Sequence, residues 1–391
     1  MTEHQSFDRN NDYRSLKKAE PSLPGSWYYD PAVFDKEMTR IFKREWVYVC
    51  HISALDKPMS YRTFQIGDQP VFVLRDSDGE LKAYYNTCRH RGSILLQEES
   101  GQLSSKAIIC PYHQWCYHSG DGRLIKTSSF SDPAGFEKSD YGLYAISVRE
   151  WRGCIMVNLD PDAAWDVEEI FFRSSVEVAN YPLEDMVVGH VWRKEMACNW
   201  KAFWENFNEC LHCPNVHPEL VDLVPLYGRR IVDKRDVPGW QDHEGDNDPK
   251  YRGGLRSNAE TWSMDGSAHG HIIPTLTEAD RDRGQIYTVS LPSMFIGAYS
   301  DHVRIVRLMP TGPEKTELVA EWLFTPETLN AEDYDISNVV EFAKIVMDQD
   351  LTACELNQRG LHSSRFEQGV LMPEEYYLKG FQDWVRQSLE D

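Results

Sequence analysis

The spacing of apolar residues divides the chain into regions with different periodicities. Apolar residues in 30–46 recur at helical spacing after Asp30, a residue type that caps helices. In residues 47–160, short alternating or β-branched runs are separated by Gly-containing turns, a pattern typical of a compact antiparallel β-domain. Residues 161–391 mix antiparallel strands with helices. We therefore predict an α+β protein in which a helical segment, residues 1–46, packs on the second of two domains.

Three segments of the second domain have distinct patterns. Residues 200–212 read as a helix that Pro214 breaks. Residues 228–270 are polar, rich in Gly and Asp, and have no clear period, so we predict a long loop or lid there. Apolar positions from about 333 to 361 recur at helical spacing and predict a long helix.

Charge and composition exclude several classes of partner. The 391-residue chain has a formal net charge of -21, which disfavours nucleic acid and anionic membranes because both attract basic proteins. No apolar run is long enough for a membrane span, and the opening residues lack a signal-peptide core. We expect a cytoplasmic protein without a membrane partner. The nine cysteines are an odd number, so metal ligation or buried thiols explain them better than a disulfide framework.

Two Cys/His pairs in the β-domain indicate a metal centre. Cys88 precedes His90 by two residues, and Cys110 precedes His113 by three. Thiolate and imidazole ligands at these spacings suit zinc or an iron–sulfur cluster. Two short loops that each offer one Cys and one His fit a [2Fe–2S] centre, in which one iron takes both thiolates and the other both imidazoles.

A second pair of histidines indicates a separate metal site in the second domain. His212 and His217 stand five residues apart around a turn that contains Pro214. Two imidazoles and a carboxylate form the facial triad that leaves positions open on ferrous iron for oxygen and substrate. The alternative is a zinc knuckle that uses Cys210 and Cys213, or a set of polar turn residues without a metal.

The predicted long helix offers two candidates for the carboxylate ligand. Asp350 lies on one helical line with the apolar Phe342 and Val346, whereas Asp348 shares a charged face with Lys344. A buried carboxylate is unfavourable unless it is paired or bound to a metal. We therefore predict Asp350 rather than Asp348 as the third iron ligand.

Three stretches together resemble the oxygenase (α) component of a Rieske non-haem iron oxygenase. They are "CRHRG" with "CPYHQW", then "NWKAFWENFNECLHCPNVHP", then a helix that contains "QD…CE…QRGL". The resemblance implies an antiparallel β Rieske [2Fe–2S] domain joined to a helix-grip catalytic domain. Matching the motifs position by position assigns Cys88, His90, Cys110 and His113 to the [2Fe–2S] cluster, and His212 and His217 to the first two ligand positions of a mononuclear Fe(II). Asp350 is the third ligand that the helical spacing favours.

The resemblance also implies partners and an assembly. Electrons from NADH or NADPH would come through a separate reductase that contains flavin and an iron–sulfur cluster. The oxygenase would form a homotrimer, in which Glu209 links the mononuclear iron of one subunit to the Rieske centre of its neighbour. The absence of a β subunit is suggested by the resemblance alone.

Two features resemble the branch that acts on quaternary ammonium compounds such as glycine betaine, stachydrine, choline and carnitine. Glu209 stands where aromatic-ring dioxygenases usually have Asp, and residues 253–266 read "GGLRSNAETWSMDG". This branch implies a monooxygenase (EC 1.14 type) that hydroxylates an N-methyl group with O2 and causes oxidative N-demethylation. The alternatives are a Rieske hydroxylase or dioxygenase of an aromatic acid, and a Rieske electron-transfer protein with a non-catalytic second domain.

A trimethylammonium group suits a box of aromatic rings through cation–π attraction. Trp262 is the foremost candidate because it lies in the "AETW" segment, although core packing is the usual role of a single aromatic residue. The candidates for substrate contact are Trp262, Phe203, Trp204, Phe207 and Tyr299.

Overall fold

The computed structural model describes residues 14–390, apart from the side chains of residues 172 and 173. The first thirteen residues of the predicted N-terminal segment lie outside this range. The described chain opens with strand β1 (Glu20–Pro24) and helix α1 (Pro31–Glu37), which continues as a π-helical turn over Met38–Phe42. The Asp30 carboxylate caps α1 by accepting the backbone N–H of Ala32.

The β-domain consists of three antiparallel sheets, as the alternating pattern predicted. Their orders are β10-β11-β2, β5-β4-β3-β6 and β7-β8-β9. The strands are β2 (Val47–His51), β3 (Ser60–Ile66), β4 (Gln69–Arg75), β5 (Leu81–Tyr85), β6 (Ser100–Gln102), β7 (Ala107–Ile109), β8 (Cys116–His118), β9 (Leu124–Lys126), β10 (Ser147–Trp151) and β11 (Cys154–Asn158).

The second domain is built on a five-stranded antiparallel sheet with the order β12-β16-β15-β14-β13. Its strands are β12 (Val187–Met196), β13 (Gln285–Ser290), β14 (Met294–Tyr299), β15 (Val303–Gly312) and β16 (Lys315–Phe324). Helices surround it, and β17 (Gln368–Leu371) pairs with β1. The helices are α2 (Val167–Glu177), α3 (Trp200–Phe207), α4 (Cys213–Val216), α5 (Pro218–Leu223), α6 (Pro249–Arg252), α7 (Glu278–Arg283), α8 (Pro326–Leu329), α9 (Ile336–Leu361) and α10 (Tyr376–Glu390).

Short 3-10 helices complete the described chain. They cover Gly25–Tyr28, Ile52–Leu55, Lys138–Tyr141, Leu183–Asp185, Pro225–Arg229, Lys234–Asp236 and Trp240–His243. Three of them begin within residues 228–270 or just before, so this predicted loop consists of turns and single helical turns. Trp262, which lies in this segment, is buried in a hydrophobic cluster. Among the described residues, no helix combines the length and the apolar character needed to cross a lipid bilayer.

Both faces of the five-stranded sheet are buried. One face packs on α3 and α9, and the side chains on this face include Val306 and Trp322. The other face packs on α2 and on β10 and β11 through residues such as Ile305 and Leu323. Because alternate residues of a strand point to opposite faces, the inner strands β14, β15 and β16 divide their buried side chains between two cores.

The segment around Pro214 differs from its prediction. Helix α3 ends at Phe207 instead of continuing to His212, and the side-chain amide of Asn208 donates a hydrogen bond of 2.7 Å to the Trp204 carbonyl at this end. Pro214 lies in the first turn of α4, where proline is tolerated because no helical N–H bond is lost. The polypeptide between α3 and α4 is therefore a turn that carries His212.

A fully buried ion pair joins the N-terminal segment to the second domain. The Lys201 ammonium contacts the Glu37 carboxylate and donates to the Trp27 carbonyl at 3.0 Å. The Trp200 indole N–H donates to the other Glu37 oxygen at 2.8 Å. Burial lowers the pKa of Lys201, and the charge of Glu37 opposes that shift. The Glu37 carboxylate therefore stabilises the buried charge of Lys201.

We expect Glu37→Gln to lower the free energy of unfolding by about 3–5 kcal/mol, because it leaves the Lys201 ammonium buried without a counter-charge. Urea titration followed by tryptophan fluorescence measures this change. Glu195→Gln is the matched control, since its partner Lys315 and Glu195 itself are exposed, and its loss should stay below about 1 kcal/mol. Equal losses in the two variants would contradict the importance of the buried pair.

Candidate metal centres

Two loops of the β-domain hold the predicted cluster residues in similar backbone turns. The first loop follows β5 and the second follows β7. In each loop the carbonyl of the cysteine accepts an N–H four residues later, from Gly92 to Cys88 at 2.9 Å and from Gln114 to Cys110 at 3.0 Å. Both Gly92 and Gln114 have positive φ, which tightens the turn. The two loops thus present their Cys and His residues alike.

The thiols and the imidazoles of these loops differ in burial. Cys88 and Cys110 are buried, whereas His90 is exposed and His113 is partly exposed. The two imidazole rings lie 4.7 Å apart, and the Trp115 ring stacks on His90 at 4.8 Å. A cluster held by these four residues would have its thiolate side inside the protein and its imidazole side at the surface.

Polar groups surround both sulfur atoms. The Tyr117 hydroxyl lies 3.1 Å from Cys88 Sγ, and burial raises the pKa of the Cys88 thiol. Burial also acts to raise the pKa of Cys110, but N–H groups of His113 and Tyr112 favour the thiolate and the net shift is downward. Donors directed at sulfur suit cluster-bound thiolates, so the residues present fit a [2Fe–2S] cluster.

Three elements bring His212, His217 and Asp350 together, and we call this set the metal triad. His212 lies between α3 and α4, His217 at the junction of α4 and α5, and Asp350 within α9. The Nε2 atoms of His212 and His217 lie 3.4 and 2.8 Å from Asp350 Oδ1. Within the described residues, this is the group of His, Cys, Asp or Glu ligand atoms close enough to share one ion.

Neighbouring side chains hold each member of the metal triad. The Nδ1 atom of His212 lies 2.6 Å from Glu209 Oε1, and Nδ1 of His217 lies 2.8 Å from Gln349 Oε1. The Asn206 amide donates to Asp350 Oδ1 at 2.7 Å. With both Nδ1 atoms engaged, the Nε2 atoms are left to face Asp350. This is how outer hydrogen bonds orient imidazole ligands in metal sites.

The charges of the metal triad are complementary. Burial acts to lower the pKa of His212, but the carboxylates of Asp350 and Glu209 raise it to about 9. Burial acts to raise the pKa of Asp350, but hydrogen bonds and charges from His212 and His217 lower it to about 2. A divalent cation among these ligands would take over the compensation that the imidazolium provides. The donor set of two imidazoles and one carboxylate fits ferrous iron.

The two aspartates of α9 and the two cysteines near His212 are placed differently. The Asp350 side chain is 17% exposed, whereas that of Asp348 is 48% exposed and binds Lys194 at 3.0 Å. Cys210 and Cys213 are joined as a disulfide, so they do not offer free thiolates for the zinc knuckle that the sequence left open.

Five rings form an aromatic cluster beside the metal triad, namely Phe207, Trp262, Tyr287, Tyr299 and Phe342. Trp262 lies 5.1 Å from Tyr299, 5.8 Å from Tyr287 and 5.9 Å from Phe342 between ring centroids. Tyr287 in turn lies 5.6 Å from Phe207. The cluster adjoins the triad along two elements, because Phe207 follows Asn206 on α3 and Phe342 precedes Asp350 by two turns of α9.

The predicted substrate aromatics do not all lie in one place. Trp262 and Tyr299 belong to the aromatic cluster, and Phe207 lies where this cluster meets the main core, 5.6 Å from Tyr287 and 5.8 Å from Trp204. Trp204 packs in the main core with its indole N–H on the Pro292 carbonyl at 2.9 Å, and Phe203 stacks beside it on Phe295. The sequence reading missed Tyr287 and Phe342. Their strand and helix were predicted, but periodicity does not say which face adjoins a site.

Comparison with known families agrees with this arrangement. Residues 45–137 match a family described as "Rieske [2Fe-2S] domain". Residues 183–391, more than half of the chain, match the family "Ring hydroxylating alpha subunit (catalytic domain)". The first match contains the two Cys/His loops, and the second contains the metal triad and the aromatic cluster.

Individual relatives are similar over almost the whole chain. The glycine betaine monooxygenase oxygenase subunit of Chromohalobacter salexigens is 28% identical, over 98% of this chain and 89% of that protein. The carnitine monooxygenase oxygenase subunit of Acinetobacter baumannii is 27% identical, over 90% of this chain and 88% of that protein. A crystal structure of the quaternary ammonium Rieske monooxygenase CntA has the same fold, with a TM-score of 0.73 and 22% identity over 94% of this chain and 95% of that one.

We expect Asp350→Asn to lose the mononuclear iron, because the amide that replaces the carboxylate supplies no negative charge to the two imidazoles. Asp348→Asn is the matched control, two residues away on the outer side of the same helix, and should keep this iron. Iron analysis of anaerobically purified protein, with acid-labile sulfide as a measure of the cluster, tests both variants. Loss of iron from Asp348→Asn alone would contradict the assignment.

Proposed function

Because the chain belongs to the ring-hydroxylating alpha-subunit family and has a Rieske domain before its catalytic domain, we propose that it hydroxylates an N-methyl group of a quaternary ammonium substrate. Members of this family are oxygenases that use a Rieske [2Fe–2S] cluster and a mononuclear iron. The hydroxylated methyl group leaves as formaldehyde, and the substrate becomes the demethylated amine. The chemistry named in the glycine betaine and carnitine monooxygenases supports this substrate class.

The observation that carries the proposal is the position of the aromatic cluster beside the metal triad. Trp262, Tyr287 and Tyr299 pack within 6.1 Å of one another, measured between ring centroids. The faces of aromatic rings attract a cation that has lost its water, and a trimethylammonium group is such a cation. The cluster would hold the nitrogen so that one methyl group lies toward the metal triad.

We assign the cofactors to the residues whose geometry fits them. Cys88, His90, Cys110 and His113 would hold the [2Fe–2S] cluster, and the metal triad would hold the mononuclear iron. When bound, the cluster relays single electrons and the iron activates dioxygen. Two electrons from NADH or NADPH and two protons would reduce one atom of O2 to water, while the other atom is inserted into the methyl C–H bond. A flavin- and iron–sulfur-containing reductase supplies these electrons as the partner protein.

The protein's own side chains orient the metal-binding histidines, exclude water from the reacting methyl group and relay electrons between subunits. Glu209 accepts the N–H of His212 Nδ1 and so keeps Nε2 free for the metal. Gln349 does the same for His217. The buried rings around the substrate nitrogen keep water from the reacting methyl group.

Glu209 also suits the role of bridge between subunits. It lies beside His212, and it is only partly buried, while His90 of the Rieske domain is exposed and so accessible to a neighbouring subunit. We therefore propose a homotrimer in which Glu209 accepts a hydrogen bond from a cluster histidine of the adjacent subunit.

We expect the enzyme to form formaldehyde from a trimethylammonium substrate when it is supplied with O2, NAD(P)H and a reductase. Formaldehyde and the demethylated amine should appear in equal amounts, because each hydroxylated methyl group leaves as one formaldehyde. Mass spectrometry of the amine and a colorimetric formaldehyde assay measure the two products. Hydroxylation of an aromatic acid without turnover of any quaternary ammonium compound would refute the proposal.

Glu209→Gln should lower the turnover rate at least ~10-fold while both metal centres are retained, since the amide orients His212 and the neighbouring histidine less strongly than a carboxylate. Steady-state turnover together with iron and sulfide analysis separates this effect from loss of metal. Glu327→Gln, at an exposed position of α8, is the control and should turn over at the normal rate. Unchanged turnover of Glu209→Gln would remove Glu209 from the electron path.

A further inference from the structure

Arg304 lies in the interior of the catalytic domain, next to the aromatic cluster. It stands on β15 between Gly297 of β14 and Trp322 of β16, on the sheet face that packs against α3 and α9. The residue is 3% exposed, and its guanidinium carbon lies 5.7 Å from the centre of the Tyr299 ring. The side chain thus places a permanent positive charge among buried rings.

No carboxylate among the described residues pairs with this charge. Arg304 Nε and Nη1 are buried and form no hydrogen bond, and no described carboxylate oxygen lies within 4.0 Å of its guanidinium nitrogens. The indole N–H of Trp322, its neighbour across the ladder, is also buried without an acceptor. Unpaired buried charges are strongly unfavourable, so the site has donors for an anion that the chain itself does not supply.

Other buried cations of the chain show the usual arrangement. Lys201 has Glu37 as its partner. Arg307, which follows Arg304 on the same strand, donates to the Val49 carbonyl and to Glu317 at 3.1 Å each. Arg304 is the exception to this pattern, and it lies beside the aromatic cluster.

We infer that Arg304 binds the carboxylate of the substrate, so that the enzyme acts on betaines, which carry both a quaternary ammonium group and a carboxylate. This inference rests on the proposed function and narrows it. A guanidinium offers two parallel N–H donors that match the two oxygens of a carboxylate. The substrate anion would supply the missing counter-charge.

The order of contacts between the metal triad and Arg304 indicates the direction in which such a substrate would lie. From the metal triad, α9 leads through Val346 to Phe342, about 12 Å along the helix from Asp350. Phe342 contacts Trp262, Trp262 contacts Tyr299, and Tyr299 lies beside Arg304. Because Arg304 repels a cation, the ammonium group lies at the rings nearer the metal triad and the carboxylate lies at the far end.

The tyrosine hydroxyls next to Arg304 support this polarity. Tyr287 and Tyr299 share a hydrogen bond of 2.8 Å. Burial raises the pKa of both hydroxyls, while the charge of Arg304 acts in the opposite direction. The hydroxyls are therefore neutral at ordinary pH, and they do not neutralise the guanidinium.

The test compares trimethylammonium carboxylates of increasing chain length, beginning with trimethylglycine, with the alcohols that match them, beginning with choline. The ratio of kcat/KM for each carboxylate to that for its alcohol should fall at least ~100-fold in Arg304→Met, because sites built to pair a polar substrate group discriminate by factors of that size or more. Arg304→Lys, which keeps the charge but not the paired donors, should give an intermediate ratio.

The melting temperature of the ligand-free variants separates binding from a structural role. Arg304→Met should melt at or above the temperature of the unmodified protein, because it removes an unpaired charge. Arg307→Met is the matched control on the same strand, and it should melt lower, since it breaks two hydrogen bonds, with no change in the substrate ratio. A lower melting temperature of Arg304→Met with an unchanged ratio would show that Arg304 is structural and would overturn the inference.

The outcomes also distinguish this inference from the proposed function. Turnover of choline-type alcohols in preference to every carboxylate would leave the proposed function standing and refute the role of Arg304. Failure of the unmodified enzyme to demethylate either class, with both metal centres present, would refute the proposed function and the inference that rests on it.

Discussion

The carboxylate of Asp350 is the point on which the catalytic domain depends. It lies 2.8 Å from a histidine that stands 133 residues earlier in the chain, and it also meets His212 and the Asn206 amide. A buried carboxylate without such partners would be strongly unfavourable. These partners therefore fix the position of α9 along its axis relative to α3. This position in turn determines where Phe342 contacts the other rings of the aromatic cluster.

Two buried cations have different roles: Lys201 stabilises the fold, whereas Arg304 is available to bind a substrate. Lys201 is neutralised by Glu37, so this pair joins the N-terminal segment to the second domain once the chain has folded. Arg304 is left without a counter-charge, which lowers stability in the free protein. A binding site can use such a charge, because the substrate's carboxylate gains most where no protein group competes for the donors. An unpaired buried charge thus lowers the stability of the free protein and strengthens the binding of an oppositely charged substrate group.

The sequence was informative where hydrophobic periodicity alone determines which face of a helix a residue occupies. Helical spacing separates Asp350 from Asp348, and in the structure one lies beside His217 while the other binds Lys194. The sheet shows the limit of this reasoning. Both of its faces are buried, so alternation along β13 and β15 did not reveal that Tyr287 belongs to the aromatic cluster or that Arg304 lies beside it.

The irregular segments show a second limit. No period could place Trp262 within the residues predicted as a loop or lid, although the structure buries it in the aromatic cluster. Helix α3 ends five residues before the predicted end at His212 because Asn208 bonds back to its last turn. Such local side-chain hydrogen bonds compete with helix continuation and have no signature in hydrophobic spacing.

The most direct test of the two proposed metal centres is the iron and acid-labile sulfide content of anaerobically purified protein, with an EPR spectrum of the reduced sample. About three irons and about two sulfides per chain with a Rieske signal are predicted, whereas zinc without sulfide would contradict the account.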